Sequence, residues 1–159
     1  MQTRRDTKLE SEGAEFLVLG HLLINGIPTY KTYTNMAGYD LVATNPEENT
    51  SVKIQVKSRF RTNWDGFIIN NFDSDFVVFV TLNRGFSIVR AGSGDGVKDP
   101  DFYIFPIEYV KEIRDEHNGW GKITKSRMKD FQQYEDRWDL IISKLRIDNP
   151  SKGQYDRRL

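Results

Sequence analysis

Residues Gly38–Arg61, with the sequence GYDLVATNPEENTSVKIQVKSRFR, hold the pattern that decides the fold. Two segments of alternating strand character, Tyr39–Thr44 and Ser51–Ser58, predict two β-strands. The residues between them, Asn45–Asn49, combine proline, asparagine and charge, as expected of the turn that joins two strands. The stretch therefore predicts a pair of strands connected by a polar turn.

Three polar side chains lie in this strand pair. Neither packing in a core nor simple exposure to solvent requires these residue types at these positions. Side chains alternate along a strand, so Gln55 and Lys57 share one face and the apolar residues beside them share the other. Asp40 is opposite in phase to its neighbours in the first strand. If pairing places Asp40 near Gln55, a carboxylate, an amide and an amine project to one place.

These three groups have the chemistry of a minimal site for phosphodiester hydrolysis. Aspartate supplies a hard anionic oxygen and glutamine a neutral one, and both suit Mg²⁺, which also keeps several waters. Lysine supplies a cation that could hold a scissile phosphate, orient a water or stabilise developing charge. A bound metal lowers the pKa of its water. The alternative is a solvated strand face, since Gln-x-Lys alone is a weak pattern.

A helix predicted over Leu9–Asn25 offers a further carboxylate. Its apolar residues recur at three- and four-residue spacing and are expected to face the core, namely Phe16, Leu19, Leu22 and Leu23. Glu15 lies on or beside this stripe, where a carboxylate is costly unless it is paired or bound to metal. It is therefore the candidate for an extra metal or water ligand, with Glu12 a turn earlier and closer to solvent. A structural ion pair between Glu15 and a nearby lysine or arginine is the alternative.

The rest of the chain adds more strands and then helices. Further strands are predicted at Ile27–Thr34, Phe67–Asn71, Asp75–Leu82, 86–91 and 102–107. The segment Asp75–Leu82 is the most apolar and suits a place buried on both faces. Helical pattern returns over 107–117 and 124–145. The second segment is predicted to be a core-facing helix or helix pair, with an apolar stripe of Met128, Phe131, Tyr134, Trp138, Ile141 and Leu145. This order of elements predicts an α/β or α+β domain.

The chain of 159 residues is expected to form one domain, 9–147, with flexible termini at 1–8 and 148–159. Its 23 basic residues balance 23 acidic ones, whereas a protein that coats nucleic acid without specificity is normally basic. The lack of cysteine excludes disulfides and thiolate metal sites. No apolar run approaches the roughly 20 residues of a membrane helix, so no membrane partner is expected and a cytoplasmic location is the default.

In their order along the chain, these motifs resemble the PD-(D/E)xK nuclease superfamily, in the branch where glutamine replaces the acidic residue before x-Lys. The resemblance rests on a helix with EGAE (12–15), then GYDLVA (38–43), a turn and IQVKSR (54–59), and it covers residues 11–60 by motif. It implies a restriction endonuclease-like core. Such a core is a small mixed central β-sheet flanked by helices, with the site at one end of the sheet.

By position, the resemblance implies Asp40 and Gln55 as metal ligands, Lys57 as the catalytic lysine and Glu15 as the helix-borne ligand. It thus predicts a metal-dependent endodeoxyribonuclease that acts on DNA with Mg²⁺, or with Mn²⁺ in its place. Glutamine at position 55 removes one negative charge, which weakens Mg²⁺ binding unless Glu15 restores it. A duplex-specific enzyme of this size is expected to be a homodimer or a higher homo-oligomer, because one site cuts one strand.

Beyond the second strand, the segment KSRFRTNW (57–64) places cations and aromatic residues next to the predicted site. This composition suits contact of Arg59 and Arg61 with a DNA backbone and stacking of Trp64 on a base. An exposed basic turn is the alternative interpretation.

A second hypothesis for the whole chain is a non-catalytic module that binds nucleic acid or protein on the same scaffold. The neutral net charge and Gln55 both favour it. The orientation of Glu15 separates the two hypotheses. If Glu15 faces Asp40 and Lys57 across a cleft, the charge lost at Gln55 is restored and the nuclease is favoured.

Overall fold

The computed structural model describes residues 7–33 and 38–148. The α-helices are α1 (Thr7–Ile24), α2 (Ile107–Ile113) and α3 (Asp139–Leu145). The strands are β1 (Thr29–Lys31), β2 (Leu41–Asn45), β3 (Thr50–Arg59), β4 (Gly66–Ile68), β5 (Phe76–Thr81), β6 (Asp101–Pro106) and β7 (Lys122–Thr124). Two 3₁₀ turns cover Lys125–Arg127 and Phe131–Tyr134. Within the described residues, no helix is long and apolar enough to cross a bilayer.

Five of the strands form one mixed sheet in the order β1-β2-β3-β5-β6. The pairs β1–β2, β2–β3 and β5–β6 are antiparallel, and β3 and β5 are parallel. The turn between β2 and β3 is the predicted one, with Asn49 in the left-handed region (φ 51°). The small mixed sheet flanked by helices that the resemblance implies is therefore confirmed.

Both faces of this sheet are covered, and the side chains of β5 show how. Every residue of β5 is buried. Val78 and Val80 belong to an apolar cluster with residues of α1 and α3, whereas Val77 and Phe79 belong to a second cluster with α2 and the two-stranded sheet β4–β7. A strand covered on both sides has no polar face, which explains the continuous apolar run in the sequence.

The buried stripe of α1 differs from the predicted one. The fully buried residues of this helix are Ala14, Val18 and Leu22. Of the predicted stripe, Leu22 is buried and Leu19 packs partly against the core, but Phe16 and Leu23 are each 49% exposed. The second half of α1 is apolar on nearly all sides, so periodicity alone could not identify the side that meets the sheet.

The helix or helix pair predicted over 124–145 is also wrong in extent, because only Asp139–Leu145 is α-helical. Asp130 and Asp136 adopt positive φ angles of 55° and 51°, which interrupt an α-helix at both places. The apolar stripe is split as a result. Met128 and Phe131 lie in the cluster with α2, whereas Trp138, Ile141 and Leu145 lie in the cluster with α1.

Several predicted elements differ in length. β1 occupies only Thr29–Lys31 of the predicted strand 27–34, whose last residue lies outside the described residues. The predicted helix 107–117 ends at Ile113, and β7, which pairs with β4, was not predicted. The predicted strand 86–91 is a largely exposed loop, since its apolar residues Ile88 and Val89 find no cover. Of the termini predicted to be flexible, 1–6 and 149–159 lie outside the described residues, whereas residues 7 and 8 begin α1.

Candidate active site

β3 extends beyond the start of β2, and the candidate site lies along the edge of β3 that β2 leaves unpaired there. Leu41, the first residue of β2, pairs with Ile54 of β3. β3 continues to Arg59 with β5 as its partner on the other side. Among the described strands, none pairs with this side of β3 beyond Ile54. Five residues of β3 therefore have a free edge, which leaves room for polar side chains.

Asp40 is fixed at the start of this free edge. Its backbone N–H donates to the carbonyl oxygen of Ile54 at 2.9 Å, which continues the pairing of β2 with β3 by one residue. Its carboxylate oxygen Oδ2 accepts the backbone N–H of Val56 at 2.7 Å. This charge-assisted bond satisfies a backbone donor of β3 that has no described partner strand on this side, and it holds the carboxylate beside Gln55. The register thus brings Asp40 and Gln55 together, as the sequence pattern required.

A cavity of about 350 Å³ lies along the free edge. All four residues predicted to be catalytic line it, namely Glu15, Asp40, Gln55 and Lys57. The other lining residues are Ser11, Val56, Ser58, Arg59, Phe67 and Ile68. Two larger surface cavities, of about 420 and 510 Å³, contain none of the predicted residues. The residues singled out by the sequence therefore converge although they come from α1, the segment before β2, and β3.

Gln55 lines this cavity and carries an unsatisfied side-chain oxygen. The residue is 9% exposed, and its Oε1 is buried without a hydrogen-bond partner among the described residues. A buried acceptor left without a partner costs about 1–3 kcal/mol, so a ligand that supplies one is favoured. A divalent cation is such a ligand.

The oxygen atoms that line the cavity suit a hard cation. Glu15, Asp40 and Gln55 offer two carboxylates and one amide oxygen, the ligand types that Mg²⁺ prefers. In the described parts of the chain, no group of three or more His, Cys, Asp or Glu side chains is placed to hold a metal. The set therefore has less negative charge than an all-carboxylate site, but its oxygen chemistry fits Mg²⁺ or Mn²⁺.

Glu15 reaches the cavity from α1 and is held by a lysine. Lys31 donates a hydrogen bond to Oε2 of Glu15, and its Nζ lies 3.0 Å from Oε1 of Glu12. Burial raises the pKa of Glu15 above its ordinary value, the hydrogen bond from Lys31 opposes this rise, and the negative charge of Asp40 adds to it. The two alternatives considered for Glu15, an ion pair and a place in the site, therefore occur together.

Lys57 is the half-buried cation of the cavity. Burial lowers the pKa of its amine below the ordinary lysine value, and the carboxylate of Asp40 partly opposes this change. Phe79 lies beside Lys57 in the register of β3 with β5. Burial leaves the amine poorly hydrated, so it gives up its proton more readily than an exposed lysine.

The two arginines predicted to contact DNA lie on and beyond the end of β3. Arg59 lines the cavity, and its Nε donates to the carbonyl oxygen of Gly66. Arg61 is exposed, and its guanidinium carbon lies 5.5 Å from the centroid of the Phe60 ring. Arg59 therefore lines the same cavity as the four predicted catalytic residues, while Arg61 lies outside it.

Trp64, predicted to stack on a base, packs against other aromatic rings. Its ring meets Phe79 edge-on at a centroid distance of 4.9 Å and Phe131 at 5.5 Å. Nζ of Lys125 lies 4.3 Å from the centroid of the Trp64 ring. The indole is therefore partly held by the second apolar cluster, and its contact with DNA stays a prediction.

Sequence analysis missed Lys31, which contacts the site from β1. The only signal for it in the sequence was the alternation of this short strand, which turns Thr29 and Lys31 to the same side. Which element covers that side depends on where α1 packs, and the sequence could not supply this. The structure places Glu12 and Glu15 there.

The fold is one already seen in a nuclease of known structure. One similar solved structure is that of a bacterial homing endonuclease, I-Ssp6803I, with a TM-score of 0.55 and 24% sequence identity. The match covers 87% of this chain and 94% of that one. No family model matches the sequence, and no curated protein matches it. At this level of identity the likeness establishes the fold.

Proposed function

We propose that this protein is a metal-dependent endodeoxyribonuclease that hydrolyses phosphodiester bonds in DNA, with Mg²⁺ as its metal. The observation that carries the proposal is the convergence of Glu15, Asp40, Gln55 and Lys57 on one cavity. The position of Glu15 separates the two hypotheses. Because Glu15 shares that cavity with Asp40 and Lys57, its position favours a nuclease over a binding module. The fold shared with a homing endonuclease agrees with DNA as the substrate.

The donor oxygens of Asp40, Gln55 and Glu15 would hold the metal. When bound, the metal supplies a water of lowered pKa and positive charge for the phosphate. The bond from the backbone of Val56 keeps the Asp40 carboxylate oriented before the ion arrives. A donor set fixed in this way loses little conformational entropy when it binds an ion.

Lys57 and Arg59 would act on the DNA itself. They are two residues apart on β3 and both line the cavity, so they share one side of the free edge. The Lys57 amine donates to a non-bridging phosphate oxygen, where negative charge develops as water attacks phosphorus and the P–O bond breaks. Arg59 binds the DNA backbone beside it. Hydrolysis by this route forms no covalent intermediate with the enzyme.

One such site cuts one strand. Cleavage of a duplex therefore calls for two sites related by symmetry, and we propose a homodimer or higher homo-oligomer as the acting form. We also propose the cytoplasmic location that is expected from the sequence.

The test is cleavage of supercoiled plasmid and of bacterial genomic DNA with Mg²⁺ or Mn²⁺. Wild type, Asp40→Ala and Lys57→Ala are compared, with Lys53→Ala as the matched control. Lys53 is a lysine of the same strand that lies outside the cavity. We expect metal-dependent cleavage that Lys53→Ala retains and that falls at least 100-fold in the other two variants, about 2.7 kcal/mol of transition-state stabilisation.

Two outcomes would contradict the proposal. Cleavage that is equal in Lys57→Ala and wild type would place the chemistry elsewhere. No cleavage with any DNA or metal, together with DNA binding that neither substitution changes, would establish the binding module instead.

A further inference from the structure

Lys31 is a cation enclosed by the residues around it. Its side chain is only 6% exposed although it ends in a charge. Two carboxylates bind its Nζ, those of Glu12 and Glu15. Two aromatic rings lie near the same atom, with centroids at 5.3 Å for Phe16 and 5.7 Å for Tyr33. A lysine is almost never buried to this extent without partners that offset the loss of water.

The two carboxylates that bind Lys31 differ in their relation to the cavity. Glu15 lines the cavity, and its side chain is 16% exposed. Glu12 does not line it, and its side chain is 52% exposed. Lys31 itself is absent from the cavity wall. Among the described residues, the ammonium therefore contacts the candidate site through Glu15.

The negative charge of Asp40 disfavours the position of the Glu15 carboxylate at the cavity. Asp40 carries a like charge near enough to disfavour a second carboxylate at the same cavity. In the pairing of β1 with β2, Lys31 lies opposite Leu41, the residue that follows Asp40. The pairing of β1 with β2 thus holds the Lys31 ammonium next to Glu15. There its positive charge offsets the repulsion between Glu15 and Asp40 without a bound metal.

We propose that Lys31 is a positioning residue, which holds the Glu15 carboxylate at the cavity so that it can serve as a metal ligand. The inference rests on the proposed function, because it presumes that Glu15 binds metal. Groups that hydrogen-bond to metal-ligating carboxylates contribute about 10- to 100-fold to metal affinity or activity. Without Lys31, repulsion from Asp40 turns Glu15 toward solvent, and metal binding weakens.

The experiment is a double-mutant cycle on Mn²⁺ affinity, measured by isothermal titration calorimetry on the full chain. The four proteins are wild type, Lys31→Met, Glu15→Gln and the double variant. We expect each single substitution to weaken Mn²⁺ binding about tenfold. The double variant should match Glu15→Gln within about threefold, because Lys31 acts through Glu15.

Two further variants separate positioning from a purely structural role. Lys31→Arg keeps the charge and is expected to restore Mn²⁺ affinity to within about threefold of wild type, because the cation and its hydrogen bonds are retained. Glu12→Gln removes only the exposed partner and is expected to bind Mn²⁺ as wild type does. Should Lys31→Met fail to fold, Lys31→Gln takes its place in the same cycle.

The possible failures are distinguishable. Mn²⁺ affinity in a folded Lys31→Met protein that equals or exceeds that of wild type would overturn the positioning role and leave the nuclease intact. Additive losses in the double variant would also overturn it, because Lys31 would then act independently of Glu15. A wild-type protein that neither binds Mn²⁺ nor cleaves DNA would refute the nuclease, and this inference with it.

Discussion

Replacing Gln55 by glutamate restores the negative charge that this site lacks, and it tests whether a cation is held beside that side chain. The change is nearly isosteric, and it acts at a residue that is 9% exposed and shares its cavity with Asp40 and Glu15. We expect the metal-free Gln55→Glu protein to be less stable, because three carboxylates then face one cavity. We expect its metal complex to be tighter.

The magnitudes follow from burial and charge. A carboxylate and a divalent cation 4 Å apart interact by about 8 kcal/mol at an effective dielectric constant of 20. Loss of hydration by the new carboxylate and its repulsion by Asp40 and Glu15 offset roughly three quarters of that gain, which leaves a 10- to 100-fold increase in Mn²⁺ affinity, or about 1.4–2.8 kcal/mol. Without metal, the unpaired buried charge lowers the free energy of unfolding by about 2 kcal/mol.

Urea unfolding in EDTA and in Mn²⁺ measures both effects. An ion at 100 times its dissociation constant adds about 2.7 kcal/mol to the free energy of unfolding, and a tenfold tighter site adds about 1.4 kcal/mol more. Gln132→Glu, at an exposed position outside the cavity, is the control and should change neither value. Equal stability of wild type and Gln55→Glu in EDTA, with equal gains from Mn²⁺, would refute the reasoning that Gln55 faces the ion.

Two other predictions concern the fold. Gly66→Ala is expected to lower the free energy of unfolding by about 3 kcal/mol in urea denaturation, because φ is +142° and the new Cβ would lie 2.0 Å from the carbonyl oxygen of Ile123. Its control, Gly20→Ala, meets no atom within 4 Å and should add up to about 1 kcal/mol, so a loss there would contradict the account. His21 stacks on Trp138 at 4.1 Å, and burial lowers its pKa while Asp136 opposes the change. The native protein therefore binds fewer protons than the unfolded chain, and stability falls as the pH drops through about 6.5. His21→Phe should keep the stack and abolish this slope, and an unchanged slope between pH 5 and 7 would assign it to another group.

The central strands could be predicted from the sequence because their determinants are local. Alternation placed Gln55 and Lys57 on one face, and a short polar turn set which residues of β2 and β3 meet. Once that register was fixed, Asp40 had to lie next to Gln55. The core of the candidate site therefore depends on about twenty consecutive residues, and no long-range information was needed to find it.

The remaining features depend on contacts that the sequence does not encode locally. The apolar second half of α1 allowed several buried faces, and packing of Ala14 and Val18 against the sheet selected one of them. The apolar residues of 124–145 recur at helical spacing, but two aspartates in this segment adopt the left-handed conformation. Periodicity gives no information about such backbone angles. The role of Lys31 follows from the packing of a helix on an edge strand, and both placements are tertiary.

The free edge of β3 has a consequence for self-association. An unpaired strand edge presents backbone groups to which a strand of another chain can add, and charged side chains, lysine above all, are the usual protection against this. Here Asp40 occupies the first backbone donor of the edge, and Lys57 and Arg59 follow along it. The residues proposed to bind metal and DNA thus lie where charged side chains discourage the addition of a strand from another chain.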